Sequence, residues 1–394
     1  MTTHDIIVVG GGIIGAGIAW ELAERGKRVL LVDRQQPGQE ASWAAAGMLA
    51  PGPEYAGAEA LVELGSASFA LYPEFVRRVE ARSAMRTGFR EKPAIHLYFG
   101  EPAEAEQAAT LARFRKARVP LEAIGVGEAR RLEPLATPQA RCAVLAPREA
   151  HVDNRALTTA VLTAAARAGA EVGAGTPVQR LLLSGAKCIG VETPDGKIFS
   201  GCVVLAAGPY CSQIEGMAQL APTRPVRGQM VALRAAGVQL GHVLRSERGY
   251  LVPRDDGRIV CGSTLEDAGY EKRLTPAGLR GILDAALELA PQLAGAEVVE
   301  SWSGLRPDTP DHLPIIGPAD MEGLFLATGH FRNGILLAPI TVKNVAEWIV
   351  EGKPSLDLRA YSPLRFAASL STASAGAAAG DSAAPKASRR GQDR

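Results

Sequence analysis

The sequence predicts an α/β protein in which a Rossmann-like domain, assembled from discontinuous segments, is joined to a smaller α+β domain with a mostly antiparallel sheet. Apolar runs typical of buried parallel strands occur early, in the middle and late, at residues 6–9, 202–208 and 324–327. Runs typical of antiparallel strands lie between them. This distribution indicates one domain built from three segments, with the second domain inserted twice.

The first segment contains a strand that leads into a glycine turn and a helix. The apolar run 6–9 is followed at once by Gly10, and the pattern continues with Gly12 and Gly15. In a dinucleotide-binding turn the first glycine permits the tight bend, the second lets backbone N–H groups approach a pyrophosphate, and the third lets the helix pack on the strand. The helix at 15–25 directs the positive end of its dipole toward the phosphates.

An acidic residue ends the second strand of this unit. Residues 28–32 form that strand, and Asp33 follows it. A carboxylate at this place can accept hydrogen bonds from both hydroxyls of a ribose. Because strand, turn, helix, strand and acid occur in order, the segment predicts nucleotide binding, with a glycine-rich packing turn as the alternative. Asp33 is compatible with either NAD or FAD.

Composition excludes several classes of protein. The chain has 394 residues, enough for two domains, and a net charge of +1, so no overall field favours nucleic acid or an anionic membrane. No apolar stretch is long enough to span a bilayer, and no signal-peptide pattern is present. The five cysteines show no CxxC spacing and predict reduced thiols in the cytoplasm. The histidines show no metal-ligand spacing, so no metal site is expected.

The remaining predicted elements follow from periodicity and end signals. The helix at 276–290 begins with Thr275 as its N-cap and Pro276 at the first helical position. Other helices are predicted at 61–82, 103–118, 154–168 and 334–350, and strands at 93–99, 228–234, 249–253, 258–262 and 297–302.

These elements predict two domains and a tail. The nucleotide-binding domain is expected to comprise residues 1–84, 144–218 and 306–366, and the substrate-binding domain 85–143 and 219–305. Residues 367–394 are rich in Ala, Ser and Gly and lack aromatic residues. Such a segment cannot bury enough apolar surface to order itself, so it is predicted to be a disordered tail.

Two later segments favour FAD over NAD. The strand at 202–208 ends in the small residues Ala206, Ala207 and Gly208, like the strand that many FAD-dependent oxidoreductases place beside the cofactor. The segment 329–334 has the pattern Gly-x-x-x-x-Gly and is expected to open a helix. That helix would offer its N-terminus to the polar edge of a flavin, where the reduced ring carries negative charge.

Three stretches carry a resemblance to a known family. They are Ser-Trp-Ala-Ala-Ala-Gly-Met-Leu at 42–49, Gly-Leu-Arg-Pro at 304–307 with Pro-Ile-Ile-Gly at 314–317, and Gly-His-Phe-Arg-Asn-Gly-Ile-Leu-Leu-Ala-Pro at 329–339. The chain resembles the amine-oxidising flavoproteins related to D-amino-acid oxidase, and within them the glycine oxidases of thiamine biosynthesis. The resemblance covers about residues 1–361. One departure is Asp33, where the family more often has Glu; the shorter acid still reaches a ribose.

The resemblance implies FAD as the cofactor. No covalent link to the flavin is expected, because the segments assigned to it contain no cysteine and no histidine other than His330. Within 42–48, three alanines and a glycine leave room for the ring and present backbone N–H groups; a helix-packing site is the alternative. The expected cofactor contacts are Gly10, Gly12, Ile13, Ile14, Gly15, Asp33, Arg34, Ala41, Ser42, Ala46, Gly47, Met48, Val178, His330, Phe331, Arg332, Asn333, Gly334, Ile335 and Leu336.

Oxidation of an amino acid requires an anchor for the carboxylate. A planar guanidinium binds a carboxylate with two parallel hydrogen bonds, and Arg306 is the first candidate, expected after a strand at the domain boundary. The resemblance assigns Arg306 and Arg332 to the substrate, and the hydroxyl of Tyr250 could donate to the same carboxylate. A surface ion pair is the alternative for Arg306. His330 and Arg248 are possible neighbours without an assigned role, and no catalytic acid or base is predicted.

The implied reaction is oxidative deamination of glycine, sarcosine or small D-amino acids to an imine, and then to a keto acid and ammonia, while O2 becomes H2O2. The imine would supply the thiazole moiety of thiamine, with a thiazole synthase as the expected partner. The expected protein is a homo-oligomer. The alternatives are a D-amino-acid dehydrogenase that reduces a quinone, a flavin-binding protein without turnover, and an NAD dehydrogenase.

Overall fold

The computed structural model describes residues 4–53 and 59–366. The predicted tail at 367–394 lies outside these described residues. The helices are α1 (Ile13–Glu24), α2 (Ala41–Ala44), α3 (Glu59–Ser83), α4 (Ala103–Lys116), α5 (Val126–Leu132), α6 (Asn154–Arg167), α7 (Pro276–Leu289) and α8 (Ala338–Glu351).

The strands are β1 (His4–Val9), β2 (Val29–Val32), β3 (Met48–Leu49), β4 (Ala94–Tyr98), β5 (Glu122–Ile124), β6 (Cys142–Ala146), β7 (Ala150–His151), β8 (Glu171–Gly173), β9 (Arg180–Ser184), β10 (Lys187–Thr193), β11 (Gly196–Leu205), β12 (Arg224–Arg234), β13 (Val243–Arg245), β14 (Tyr250–Pro253), β15 (Ile259–Gly262), β16 (Glu297–Asp308), β17 (Ile315–Pro318) and β18 (Leu324–Thr328).

The first sheet is the predicted parallel sheet, and it confirms the α/β fold class. Its strand order is β17-β18-β11-β1-β2-β8, with parallel pairing from β18 to β8 and an antiparallel edge strand β17. The ribbon of β9 and β10 extends from the first half of β11. Residues 6–9 of the central strand β1 are all buried, which explains their unbroken apolar run.

Helices α1, α3, α6 and α8 form the layer on one face of this sheet. α1 packs against α6 and α8, and α3 packs against the same two helices. Gly17 allows the close approach of α1 to α8, because a Cβ there would collide with Val342. Trp20 of α1 is almost fully buried and meets Phe75 of α3 edge to face. This core holds the glycine turn at the carboxyl end of β1.

The second sheet has the order β16-β12-β15-β14-β13-β4-β6-β5 and is antiparallel except for the β13–β4 pair. One face packs against α7, where Ile282 joins Val231 and Leu251 in a common core. Thr275 caps α7 as predicted, since its Oγ1 accepts from the N–H of Gly278 at 3.2 Å. The other face is turned toward the first sheet.

Several predicted boundaries of elements are wrong, among them the start of β12 at Arg224 and not at 228. β16 runs six residues past the predicted end at 302, because β12 pairs along it from Arg224 opposite Asp308. The last helix begins at Ala338 and not at 334, because a 3₁₀ turn at Phe331–Asn333 precedes it. β11 begins before 202, because its first half pairs with β10.

The predicted domain boundaries at 144 and 306 fall inside β6 and β16. Both strands belong along their whole length to the second sheet. We therefore propose that the chain passes between the two domains after residues 146 and 308.

Candidate active site

A cavity of about 1200 Å³ lies between the carboxyl ends of the parallel strands and the open face of the second sheet. Val9, Val32 and Thr328 line it from the first sheet, and Met230 and Tyr250 line it from the second. The carboxyl ends of parallel strands are the usual place for a bound nucleotide. The volume exceeds the range of about 300–1,000 Å³ that is usual for a single small ligand, so the cavity has room for a cofactor together with a substrate.

The glycine turn forms one end of this cavity. Gly10 has a φ of 104°, and a Cβ there would lie 2.5 Å from the carbonyl oxygen of Ala206. A Cβ at Gly15 would overlap the carbonyl oxygen of Gly10. Gly12 is the N-cap of α1 and faces the Ser42 hydroxyl, which accepts a 2.9 Å hydrogen bond from the N–H of Ile13. The turn therefore has the backbone cradle that a pyrophosphate requires.

Asp33 is held rigidly at the end of β2. Its Oδ2 accepts from the N–H of Gly11 at 2.7 Å, and its Oδ1 accepts from the N–H of Gln35 at 2.9 Å. Burial raises the pKa of this carboxyl, and the two backbone bonds act in the opposite direction. Asp33 lines the cavity at the position predicted for ribose recognition.

The small-residue segment 42–48 is held from behind by side-chain donors. Asn154 Nδ2 donates to the carbonyls of Ser42 (2.8 Å) and Trp43 (2.9 Å), Trp302 Nε1 donates to Ala44 (3.0 Å), and Arg254 Nη2 donates to Ala46 (2.8 Å). In a trans peptide the N–H points opposite to the carbonyl. The N–H groups of Ala45 and Gly47 therefore point away from these donors, on the side where both residues line the cavity.

Close packing explains the small size of the same segment. A Cβ at Gly47 would overlap the carbonyl oxygen of Val152, and a Cβ at Gly304 would overlap the Ala44 side chain. Residues 42–48 were predicted either to pack closely or to face the flavin, and these two interpretations do not exclude each other. The tight contacts fix the backbone whose N–H groups face the cavity.

The segment after β18 forms the opposite wall. The Tyr72 hydroxyl and the Ser68 hydroxyl of α3 donate to the carbonyls of Ile335 and Leu336, both at 2.6 Å. His330 Nε2 lies 3.1 Å from the Thr341 hydroxyl, and burial lowers the pKa of His330 to about 3. His330 is therefore neutral near pH 7 and brings no positive charge to the site.

Arg306 lies inside β16, and not after a strand as predicted. Its Nη2 donates to the Ser263 hydroxyl at 2.8 Å, and its Nη1 donates to the carbonyl of Thr264 at 3.2 Å. A Cβ at Gly228 would lie 2.6 Å from the Arg306 Cζ, so the glycine leaves the space that the guanidinium occupies. These contacts hold the guanidinium at the cavity wall and do not resemble a mobile surface ion pair.

Tyr250 lies on the same face of the sheet as Arg306. β-sheet pairing aligns Met230, Gly262 and Tyr250 across three strands, and the Tyr250 hydroxyl lies 3.5 Å from the Met230 sulfur. Arg306 is four residues from Trp302, the partner of Met230, and alternation along a strand returns it to that face. The register thus brings the two predicted substrate residues to one cavity wall.

Two residues predicted as cofactor contacts lie behind the cavity wall, Gly15 within the turn and Leu336 in the hydrophobic core. Arg248 is outside the lining and pairs with Glu288 at 3.0 Å. The predicted residues that line the cavity are Gly10, Gly12, Ile13, Ile14, Asp33, Arg34, Ala41, Ser42, Ala46, Gly47, Met48, Val178, Tyr250, Arg306, His330, Phe331, Arg332, Asn333, Gly334 and Ile335.

Sequence reasoning missed several contributors to the site. Gly228, Met230 and Ser263 come from strands β12 and β15 or their ends, and they meet Arg306 and Tyr250 by pairing across the sheet. The alternation of side chains along a strand indicates which residues face inward, but it does not identify their neighbours on other strands. No sequence pattern indicated the roles of Asn154 and Arg254, because the carbonyls to which they donate lie more than one hundred residues away in the chain.

The part of the chain that the structure describes lacks two further kinds of feature. Among residues 4–53 and 59–366, no group of three or more Cys, His, Asp or Glu side chains is arranged to hold a metal ion. Within the same part of the chain, no helix combines the length and the apolar character needed to cross a membrane.

The fold and the cavity define a nucleotide-dependent oxidoreductase. The chain belongs to the DAO family of FAD dependent oxidoreductases, whose family model matches residues 5–348. It is 33% identical to the glycine oxidase of Pseudomonas putida over 92% of this chain and 98% of that protein. It is 36% identical to the bifunctional protein ThiO/ThiG of Trichormus variabilis over 94% of this chain and 56% of that protein.

A solved structure agrees with these relatives. The crystal structure of glycine oxidase from Geobacillus kaustophilus superposes with a TM-score of 0.88 at 32% identity, covering 93% of this chain and 99% of that one. The chain spans about half the length of the bifunctional relatives that it matches. The predicted resemblance to the amine-oxidising flavoproteins is confirmed.

Family membership decides between the two nucleotides that Asp33 left open. The protein is an FAD-dependent oxidoreductase, and FAD is its cofactor. The residues present fit this group, since the cradle at Gly12, the carboxylate of Asp33 and the N–H groups of Ala45 and Gly47 lie along one continuous cavity. An NAD dehydrogenase is excluded.

Proposed function

We propose that this protein oxidises glycine and other small amines, such as sarcosine and small D-amino acids, to the corresponding imine. The observation that carries the proposal is the position of Arg306 and Tyr250 on one cavity wall, next to the segment 42–48 that faces the flavin site. The similarity to glycine oxidases over nearly the whole chain supports the same substrate class.

Arg306 would bind the carboxylate of the substrate. The guanidinium carries five N–H donors in a planar fork, and its bonds to Ser263 and Thr264 orient that fork. The Tyr250 hydroxyl can donate to the same carboxylate from β14, which is separated from β16 by β12 and β15 on the same face of the sheet. Arg332, which also lines the cavity, adds positive charge on the side of the late loop. Together these groups fix one end of the substrate, so that its Cα–H has a single orientation.

The amine would bind in its neutral form. The two histidines that line the cavity are His96 and His330, and burial lowers the pKa of each to about 3. Neither is a base strong enough to remove a proton from an ammonium near pH 7. The proton therefore leaves for solvent before binding, and no side-chain acid or base is assigned.

Bound FAD would supply the two-electron acceptor for the Cα hydride, and O2 would take up these two electrons together with two protons as H2O2. The amino acid loses this hydride and one N–H proton and becomes an imino acid. Water then converts the imino acid to a keto acid and ammonia. The protein's part is to hold the carboxylate and to keep the reacting carbon away from bulk water.

We further propose that the imine of glycine serves thiamine synthesis and that the partner is a thiazole synthase. The relatives named bifunctional protein ThiO/ThiG, which combine two proteins in one chain, support this link. The five cysteines are all unpaired thiols, which agrees with the expected cytoplasmic location. We also propose that the protein forms a homo-oligomer and that it binds FAD without a covalent link.

The decisive experiment is anaerobic mixing of the yellow holoprotein with glycine, sarcosine, D-alanine and L-alanine. Glycine should bleach the flavin absorbance, and admission of air should restore it with one H2O2 per turnover. Bleaching without reoxidation by air, but with reoxidation by a quinone, would identify a dehydrogenase. Failure of every amine to bleach the flavin would reject amine oxidation.

A further inference from the structure

The wall that holds Tyr250 continues across two more strands. β13 pairs with β14 so that Arg245 lies opposite Tyr250, and β13 pairs with β4 so that Arg245 lies beside His96. Paired residues share a face of the sheet. Tyr250, Arg245 and His96 therefore form one row along the cavity, which all three residues line.

The row contains polar atoms that the fold itself does not use. Arg245 Nη2 forms an ion pair with Glu149, but Arg245 Nε is buried without a hydrogen-bond partner among the described residues. His96 Nε2 is likewise buried and has no partner in the described part of the chain. Leaving a buried polar atom unpaired is unfavourable, so Arg245 Nε, together with His96 Nε2 in the tautomer that carries its proton there, indicates a place for a ligand acceptor.

Charged groups of both signs lie around the row, with Arg245 and Arg113 positive and Glu106 and Glu149 negative. Burial is the main reason that the pKa of His96 falls to about 3, and the charges of Arg245 and Arg113 lower it further. Tyr98 stacks on the His96 ring with the centroids 4.5 Å apart, which fixes the ring. Glu106 and Glu149 also line the cavity, and Arg245 holds Glu149. An acceptor that carries negative charge suits the donors of Arg245 and His96.

We propose that Arg245 and His96 form a second anion subsite, which binds a carboxylate on the amine substituent or side chain of a larger substrate. The first carboxylate lies at Arg306 and Tyr250, so this inference rests on the proposed function of that anchor. Neighbouring strands are about 4.8 Å apart, which places the second carboxylate roughly one to two strand spacings from Tyr250. A linker of two or three carbons spans about one such spacing, which is the spacing between Tyr250 and Arg245.

The test uses non-reacting acids on the holoenzyme, with the change in flavin absorbance as the measure of binding. Acetate reports the anchor alone, while malonate, succinate and glutarate carry the second carboxylate at increasing distance. Succinate or glutarate should bind about tenfold tighter than acetate, the effect of one added charge-assisted hydrogen bond. Glu149→Gln should increase this advantage, because it leaves the charge of Arg245 unneutralised.

The variants separate the subsite from general damage. Arg245→Gln combined with Glu149→Gln avoids an unpaired buried carboxylate and should abolish the advantage. Arg248→Gln is the matched control, because Arg248 lies three residues away and outside the cavity lining, and it should keep the wild-type ratio of dissociation constants. Equal affinity for acetate and all dicarboxylates in the wild type, or an advantage that survives the double variant, would overturn the subsite alone. Absence of any acetate effect would overturn the anchor and the subsite together.

Discussion

The guanidinium of Arg306 occupies the space next to Gly228 that a side chain would otherwise fill. A Cβ at position 228 would lie 2.5 Å from Nη2 and 2.6 Å from Cζ of Arg306. The two residues lie on paired strands, because Gly228 is opposite Gly304 and Arg306 is two residues further along β16. The presence of a glycine on β12 is therefore a condition for the position of the proposed carboxylate anchor.

Gly228→Ala should displace the guanidinium without touching the flavin segments. We expect kcat/KM for glycine to fall by about tenfold to several hundredfold, since a misplaced charge pair loses part of the roughly 2–5 kcal/mol of a truncated one. FAD content should stay the same. Gly281→Ala is the control, because Gly281 lies in α7 and a Cβ there meets nothing within 4 Å. Wild-type kinetics in Gly228→Ala would show that Arg306 is not the anchor.

Direct truncation of Arg306 should have a larger effect. Arg306→Ala should lower kcat/KM for glycine by about thirtyfold to several thousandfold, at roughly 2–5 kcal/mol. Arg306→Lys should recover only part, because an ammonium lacks the two-pronged geometry. Tyr250→Phe removes a single hydrogen bond to a charged group and should cost roughly 1–2 kcal/mol. Steady-state kinetics on flavin-loaded protein measure these effects, and unchanged activity in Arg306→Ala would transfer the role to Arg332.

Asn154→Asp should weaken both the fold and flavin binding. The variant keeps the shape of the side chain but replaces the amide donor that holds the carbonyls of Ser42 and Trp43. With two lost bonds in a buried site, we expect roughly 2–4 kcal/mol of lost stability and a higher Kd for FAD. Thr159→Val is a suitable control, because Thr159 lies on the exposed side of the same helix and bonds only within it. Urea unfolding measures the stability, and FAD titration of the apoprotein measures the Kd. Wild-type values of both in Asn154→Asp would contradict the prediction.

Buried neutral histidines should make the protein less stable in acid. Burial lowers the pKa of His330 from its ordinary 6.5 to about 3, so the unfolded chain binds the proton first as the pH falls. The stability contribution is complete above pH 6.5 and is lost progressively toward pH 3. Between about pH 7.5 and about pH 5, this residue alone should account for about 2 kcal/mol.

The variant His330→Gln checks this assignment. It should show a smaller loss of unfolding free energy between the two pH values than the wild type, by about 2 kcal/mol. A His4→Gln variant is the matched control, since His4 is near the surface and pairs with the exposed Glu171. Identical pH dependence in the wild type and in His330→Gln would exclude His330 as the source.

The accuracy of the sequence predictions follows from how far apart the interacting residues are. Gly10, Gly12 and Asp33 could be assigned because the strand, turn and helix that use them are consecutive in the chain. The start of α7 could be assigned because Thr275 caps a residue three positions away. The end of β16 could not, because it depends on the pairing of Asp308 with Arg224 of β12, 84 residues earlier in the chain.

The sequence by itself determined the nucleotide turn, the acid at the end of β2, the FAD family and the identity of Arg306 and Tyr250 as substrate candidates. These features depend on local backbone requirements and on motifs that keep their spacing. Only the tertiary structure decided that Gly228 makes room for Arg306, and that Arg245 and His96 continue the row of Tyr250. The physical reason is register: cross-strand neighbours are set by pairing over the whole sheet, and no short stretch of sequence contains that information.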